Sequence, residues 1–262
     1  MFYVAQFYYR VITATNLIVL IRLLMKLSQE LIMTPTNVVV FGPTLSGKGT
    51  NAGILTKVFQ TCAAISTGTV LRAQIDAGTV FGRIAEPVMR QAQLVSNGVT
   101  FGALFAEAKK PHVMGATLRV WDGVPREPDQ VYLLMALLDV FDFGKVDAIL
   151  RYDLPDEVVV ARVIGRRECP NCGAKFNNAT RPPKVVDVCD NCNTELRQRD
   201  DDTVENAKTK LRIYREQTVP ALQLLREMTG APLVEIDANR TIAEVGASTI
   251  KAVTPFIATN LI

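Results

Sequence analysis

The stretch from Asn37 to Phe59 constrains the chain more than any other. Asn37-Val-Val-Val-Phe41 is a short apolar run rich in β-branched residues, the pattern of a parallel strand buried on both faces. It leads straight into Gly42-Pro-Thr-Leu-Ser-Gly-Lys-Gly-Thr50, and then into a stretch with Ile54, Leu55, Val58 and Phe59 on one helical stripe. Strand, glycine loop with a lysine, then helix is the context in which backbone N–H groups and a helix N-terminus cradle phosphate while the Lys48 ammonium neutralises it. The strict pattern places Ser or Thr directly after the lysine; Gly49 stands there and the hydroxyl follows at Thr50. The bland alternative is a glycine turn without a ligand.

Composition narrows the chemistry. At 262 residues the chain fits one large α/β unit or two small ones, and 48% hydrophobic with 21% charged residues supports a sizeable core. A single histidine, His112, removes mechanisms built on a His pair or a Ser-His-Asp arrangement, which leaves Lys, Arg, Asp and backbone. The net charge is +3, and Arg10, Arg22 and Lys26 against Glu30 account for most of it. The remainder is nearly neutral, so no broad nucleic-acid footprint is expected. Of five cysteines, Cys62 reads as buried core and the other four form two C-x-x-C pairs.

Residues 1–32 are a different material, with aromatic MFYVAQFYY followed by VITATNLIVLI and RLLMKL. The longest charge-free stretch of the aliphatic part is shorter than the roughly 20 apolar residues a bilayer span needs. Three readings compete: a segment that lies on a membrane or packs on the body, an organellar presequence, and a start codon set too early. The last is favoured, because Met33 followed by Thr34-Pro35-Thr36-Asn37 and a strand is where compact nucleotide-binding folds begin. Membrane contact is expected only if this extension is real.

Cys169-Pro-Asn-Cys172 and Cys189-Asp-Asn-Cys192 are two knuckles separated by 16 residues. Each pair can bite a metal from one tight turn, so the spacing predicts a tetrahedral four-thiolate Zn²⁺ site. Four thiolates leave no open coordination position, so this metal is expected to be structural and to staple an insertion with little core. A zinc ribbon for nucleic acid is the alternative. Lys175, Arg181, Lys184 and the lone aromatic Phe176 between the knuckles are too sparse for a stacking platform.

The G-K-G-T form of the loop resembles the adenylate kinase family of nucleoside monophosphate kinases, and the resemblance extends from about Asn37 to about Val245. It implies a doubly wound parallel-sheet core over 37–65, 96–164 and 203–252, a helical monophosphate-binding insertion over 66–95, and a zinc-bearing lid over 165–202. It assigns ATP phosphate binding to Gly42, Ser46, Gly47, Lys48, Gly49 and Thr50. The family loop reads close to G-x-P-G-x-G-K-G-T, so Leu45 replaces a glycine and Thr44 a proline. If that position needs positive φ, Leu45 costs on the order of 1 kcal/mol.

Ile65-Ser-Thr-Gly68 and Thr69-Val-Leu-Arg72 resemble the family's S-T-G-D-x-L-R, with Thr69 in place of the aspartate. Thr67 would then face the base and Arg72 the acceptor phosphate; the plain alternative is a helix cap at Ser66 or Thr67. Arg72 is expected on a helix with Leu71 and Ile75 that ends at Ala77-Gly78, followed by a second helix over 81–91. Leu94-Val95 closes the segment, where Ser96-Asn97-Gly98 replaces the family's P-D-E. Trp121-Asp-Gly-Val-Pro-Arg126 and Gln130 resemble D-G-[FY]-P-R-x-x-x-Q. Asp122 at a strand end suits the waters of a phosphate-bound Mg²⁺, Arg126 a phosphate clamp, and Gln130 an adenine edge, with Val95 and Gly123 lining the same AMP site. Asp122 as a cap and Arg126 as a surface pair is the alternative.

On the same resemblance Arg162 would stack on the ATP adenine, and Arg166 and Arg199 would meet the phosphates. Asn239-Arg240 would touch adenine through backbone, and Lys210 takes the place of a further arginine. Arg166 and Arg199 beside Asp201 and Asp202 suit a surface ion-pair network equally well. A helix over 203–228, with Leu211, Tyr214, Val219, Leu222 and Leu225 inward, is expected before a last parallel strand over 233–237 and a final helix from about Thr241.

The implied reaction is ATP plus AMP giving two ADP, with Mg²⁺ as cofactor and Zn²⁺ as structural metal, by positioning and charge neutralisation from Lys48, Arg126, Arg166, Arg199, Lys210 and Asp122. Rival readings are a kinase for UMP, CMP or GMP, and a nucleotide sensor that no longer turns over. The partners are ATP, AMP and ADP, with no nucleic acid; a cytoplasmic monomer is expected.

Overall fold

A computed structural model describes residues 35–259; the extension over 1–32 and the readings attached to it lie outside them. Five parallel strands form the central sheet: β1 (Thr36–Phe41), β2 (Cys62–Ser66), β3 (Leu118–Asp122), β4 (Val146–Asp153) and, numbered β7 in chain order, Leu233–Asp237. Their order is β2-β3-β1-β4-β7, so the chain leaves β1 to one side and later returns to the other. That reversal opens a crevice at the carboxyl ends of the strands beside β1, where doubly wound sheets bind ligands.

Alternation along β1 explains its uninterrupted apolar sequence. Val39 and Phe41 enter one core, with Trp121 and Ile149, under the helices α4 (Asn97–Ala108), α6 (Pro128–Val140) and α9 (Val219–Thr229). Val38 and Val40 enter the other, with Val120, Leu150 and Tyr152. That second face is covered by α1 (Lys48–Val58), α7 (Asp156–Ile164), α8 (Val204–Ile213) and α10 (Ile242–Thr259). Covering both faces is what a parallel sheet requires. Asn37 is the polar exception: its amide donates to the carbonyls of Phe143 at 2.6 Å and Lys145 at 3.0 Å and accepts from Trp121 Nε1 at 3.1 Å, so each buried polar atom is matched.

Helices α2 (Thr67–Asp76) and α3 (Val80–Arg90) form the expected hairpin after β2, and the single turn α5 (Pro111–Met114) precedes β3. A two-stranded antiparallel sheet, β5 (Arg166–Glu168) with β6 (Lys175–Asn177), carries the small lobe over 166–202, whose core is Phe176, Leu196, Cys169 and Cys189. No helix among the described residues is long and apolar enough to cross a membrane.

Three local expectations are corrected. On α1 the buried residues are Asn51, Ala52 and Leu55, and Val58 is exposed, because that helix turns its N-terminal half toward the sheet. The helix expected over 203–228 runs without interruption over 204–229, but it is not α-helical throughout: a π-helical turn at Tyr214–Thr218 joins α8 to α9. Pro220 has no N–H for the carbonyl of Glu216 and its ring crowds that position, so the helix widens to pass it. Cys62, at the start of edge strand β2, is half-buried, not core; partial burial still pushes its thiol up to about 12.

Candidate functional site

One cavity of about 1180 Å³ opens over the carboxyl ends of β1, β2 and β3. All eighteen non-cysteine residues singled out from the sequence line it: Gly42, Ser46, Gly47, Lys48, Gly49 and Thr50 from the loop after β1; Thr67, Arg72 and Val95 from the helical arm; Asp122, Gly123, Arg126 and Gln130 after β3; and Arg162, Arg166, Arg199, Lys210 and Arg240 from the opposite wall. Ten lysines and arginines face three carboxylates, Asp122, Asp201 and Glu244, across this space. Asp202, Glu168 and Asp237 pair three of these cations from outside the lining, and the excess that remains suits a polyanion, with the low-dielectric walls strengthening each charge.

The loop after β1 is a tight nest. Gly42 sits at φ 144, with Tyr152 O only 2.6 Å from where a Cβ would stand, so only glycine fits. Gly47 has φ 89 and Leu45 φ 57, a left-handed conformation that costs a leucine roughly 1–2 kcal/mol. Leu45 therefore occupies the position where the sequence motif favours glycine, and adopts glycine's backbone. The Lys48 ammonium curls back to donate to the carbonyls of Gly42 at 2.8 Å and Pro43 at 2.6 Å. Burial lowers its pKa to about 8, against the pull of Asp122 and with the push of Arg126. Asp122 Oδ2 faces Gly49, 3.8 Å from the place of a Cβ. The Asp122 carboxylate and the Thr50 hydroxyl thus offer hard oxygen donors beside the nest, a set that fits hydrated Mg²⁺.

At the other end, Thr67 lines the cavity at 5% exposed, and its buried hydroxyl has no hydrogen-bond partner within the protein. Ser66 takes the cap position of α2 without making a side-chain bond, so a capping role does not explain this pair. Gln130 is 2% exposed; its Oε1 accepts from the backbone N–H of Arg126 at 2.9 Å and its Nε2 donates to Asn97 Oδ1 at 2.9 Å. Asp122 ends β3 and Glu127 occupies the cap of α6, so Asp122 caps nothing. Arg126 faces the cleft, its Nε donating to Gly123 O at 3.1 Å; enclosure by protein lowers its pKa while Asp122 opposes. Arg72 has a pKa lowered to about 10 by burial and then by the neighbouring Arg199, with Glu168 and Asp201 in opposition.

The far wall holds its cations in ion pairs. Arg166 binds Asp202 through two parallel hydrogen bonds, Arg199 Nε donates to Glu168 at 2.6 Å, and Lys210 Nζ meets Asp201 at 2.5 Å. The ion-pair network read as the alternative for this segment is present, though largely enclosed and not on the surface, and Arg166, Arg199 and Lys210 also line the cavity. Arg162 donates to the carbonyls of Leu45 at 3.2 Å and Ala238 at 3.0 Å, and Arg240 pairs with Asp237 at 2.9 Å on the rim. Sequence reasoning did not place Lys175, Asn177 and Arg181 of the small lobe, or Tyr214 and Thr218 of the π-turn, on this cavity. Pro220 shortly after Tyr214 was the available signal for the turn; nothing local marked the others.

The four knuckle cysteines stand apart from the cavity, in the small lobe. Their Sγ atoms all lie within 4.8 Å of one another, with Cys169–Cys192 at 3.4 Å and Cys172–Cys189 at 3.5 Å. Sulfurs around a tetrahedral ion bound at about 2.3 Å stand about 3.8 Å apart, so the cluster fits a four-thiolate metal centre.

Comparison with known proteins agrees with this geometry. A family model described as adenylate kinase matches residues 40–229. The chain is 36% identical over 211 residues to the adenylate kinase of Methanosarcina mazei, covering 79% of this chain and 93% of that one. It is 38% identical over 186 residues to the adenylate kinase of Methanothrix thermoacetophila, covering 71% and 84%. Against the adenylate kinase of Desulfitobacterium hafniense it is 36% identical over 207 residues, covering 79% and 93%. With one cavity that gathers the motif residues and a match of this extent, the chain belongs to the adenylate kinase family.

Proposed function

We propose that the chain transfers the terminal phosphoryl group of ATP to AMP, reversibly, giving two ADP. The bond formed joins the γ-phosphorus to an oxygen of the AMP phosphate, and the bond broken joins it to the β,γ-bridging oxygen. The observation that carries this reading is one cavity lined by the phosphate nest with Lys48 and, from other elements, by Thr67, whose buried hydroxyl is unpartnered, and Gln130. Arg72 and Arg126 suit the AMP phosphate, with Val95 and Gly123 lining that site. Gly42, Ser46, Gly47, Gly49 and Thr50 suit the ATP phosphates through backbone and hydroxyl.

Mg²⁺, held through Asp122 and its waters, would supply charge neutralisation on the phosphate oxygens. Lys48, Arg166, Arg199 and Lys210 would stabilise the equatorial oxygens of the group in flight, and no general base is needed where positioning and charge do the work. Arg166 and Arg199 would exchange Asp202 and Glu168 for phosphate as the small lobe closes and excludes water. Lys210 keeps charge without the planar fork of an arginine, so transfer would be slowed, not abolished. Arg162 and Arg240 flank the space for the ATP base. In the small lobe Zn²⁺ would be held by Cys169, Cys172, Cys189 and Cys192 as a structural ion. Thiols kept for metal suit a reducing compartment and so the cytoplasm.

The test is ADP formation from ATP, Mg²⁺ and AMP, with UMP, CMP and GMP in parallel. Selective use of AMP is expected, and Lys48→Ala should lower the rate by about a hundredfold or more while leaving the fold intact. Equal rates for parent and variant would remove this mechanism. Nucleotide binding without turnover by any acceptor would turn the reading to a sensor.

A further inference from the structure

Gln130 sits inside a directional chain of hydrogen bonds that fixes which of its two amide atoms faces which neighbour. Thr218, in the π-turn, donates its hydroxyl to the carbonyl of Arg126 at 2.9 Å. The backbone N–H of Arg126 donates to Gln130 Oε1 at 2.9 Å, and Gln130 Nε2 donates to Asn97 Oδ1 at 2.9 Å. A backbone N–H can only donate, so the atom facing Arg126 must be the oxygen, and the atom facing Asn97 must be the nitrogen. The orientation of a 2%-exposed amide is thereby set by its surroundings.

After these bonds Gln130 retains one lone pair on Oε1 and one hydrogen on Nε2. Adenine offers a 6-amino donor beside an N1 acceptor, which matches that remainder. A 6-oxopurine offers an acceptor beside an N1–H donor, which opposes it and could be met only if the amide turned over. Turning would set Nε2 against the Arg126 N–H, a donor–donor clash, and Oε1 against Asn97 Oδ1, an acceptor–acceptor clash relieved only if Asn97 turned as well.

We propose that Asn97, the first residue of α4 and outside the cavity lining, is a specificity-determining positioning residue: by accepting from Gln130 Nε2 it locks the amide in the orientation that reads a 6-aminopurine monophosphate and rejects a 6-oxopurine one. The inference rests on AMP being the acceptor. It also gives the change from the family's P-D-E to Ser96-Asn97-Gly98 a consequence, since an asparagine can itself turn and an aspartate cannot. Asn97 is therefore a weaker lock than a carboxylate at the same place.

The experiment uses the full-length chain and compares AMP with IMP, whose base has the 6-oxo and N1–H pattern without guanine's 2-amino group. The readout is the ratio of kcat/KM for the two acceptors at fixed ATP and Mg²⁺. Asn97→Ala should lower the AMP:IMP ratio by about fivefold or more, the value of one hydrogen bond. Asn97→Asp, which keeps the acceptor and cannot donate, should hold the ratio at or above that of the parent, and KM for ATP should stay level in both. A merely structural role would lower both acceptors together and leave the ratio unmoved; a ratio within twofold of the parent in Asn97→Ala overturns the inference while AMP selectivity of the parent leaves the function standing. A parent that takes neither acceptor removes the function and the inference with it.

Discussion

The guanidinium of Arg162 reaches across to the carbonyl of Leu45 at 3.2 Å and, with its other terminal nitrogen, to the carbonyl of Ala238 at 3.0 Å. It ties the phosphate nest to the loop after β7, and it does so at the residue of the nest that is held at φ 57 without being glycine. The Leu45 side chain is half-buried against the core under α1 and α7, so packing on one side and a charged hydrogen bond on the other hold an unfavourable backbone in place.

Substitutions at Leu45 should invert the usual ranking of alanine and glycine. Leu45→Ala removes the packing and keeps the left-handed cost, whereas Leu45→Gly removes both. Leu45→Gly should be the more stable of the two by about 1 kcal/mol, read as a higher urea midpoint at unchanged slope. Leu45→Ala as the more stable variant would mean that the loop relaxes out of the left-handed region once the leucine is gone.

Lys48 predicts a pH dependence with a defined sign. Its folded pKa of about 8 lies below the ordinary 10.5, chiefly because burial disfavours the ammonium. Below about pH 8 the group is charged in both folded and unfolded chains, and its burial costs stability; between about 8 and 10.5 the unfolded chain holds a proton the folded chain has lost, so this contribution rises with pH. ATP favours the ammonium, so binding above pH 8 should take up a proton and weaken as pH rises. Calorimetric titrations in buffers of different ionisation enthalpy measure the uptake, which should vanish in Lys48→Met.

Asp202 is the buried half of an ion pair, with its side chain 0% exposed against 12% for Arg166. Removing one member leaves the other enclosed and unpaired, so Asp202→Ala should destabilise the protein by roughly 3 kcal/mol. Asp202→Asn keeps one acceptor and should lose less. The thermal midpoints of the two variants, measured with nucleotide absent, check the order.

Removal of metal should act on the small lobe and spare the sheet. Cys172→Ser, or a strong chelator on the parent, should release the ion and expose the segment over 166–202 to protease, while the five-stranded sheet keeps its far-ultraviolet signal. The lobe's core of Phe176 and Leu196 beside the cysteines is too small to stand without the staple. Equal protease resistance with and without metal would contradict this.

Much was legible in the sequence because its signals are local. The strand, loop and helix over 37–59 were fixed by β-branched residues and glycines whose backbone needs are the same wherever they occur. The two C-x-x-C knuckles declared their cluster through spacing alone. The Arg72 and Gln130 segments each carried a short motif, and the structure brings them into one cavity. What only the tertiary structure decided depends on groups distant in the chain. That Leu45 keeps glycine's backbone is settled by Arg162 and the core beneath it, 117 residues on. Which carboxylate holds which cation on the far wall follows from how the small lobe folds back, since Glu168 meets Arg199 and Asp202 meets Arg166 across the lobe. The orientation of Gln130 is set by Asn97 and Arg126 because a hydrogen bond needs a partner within about 3 Å, and only the packing of α4 against the loop after β3 supplies one there.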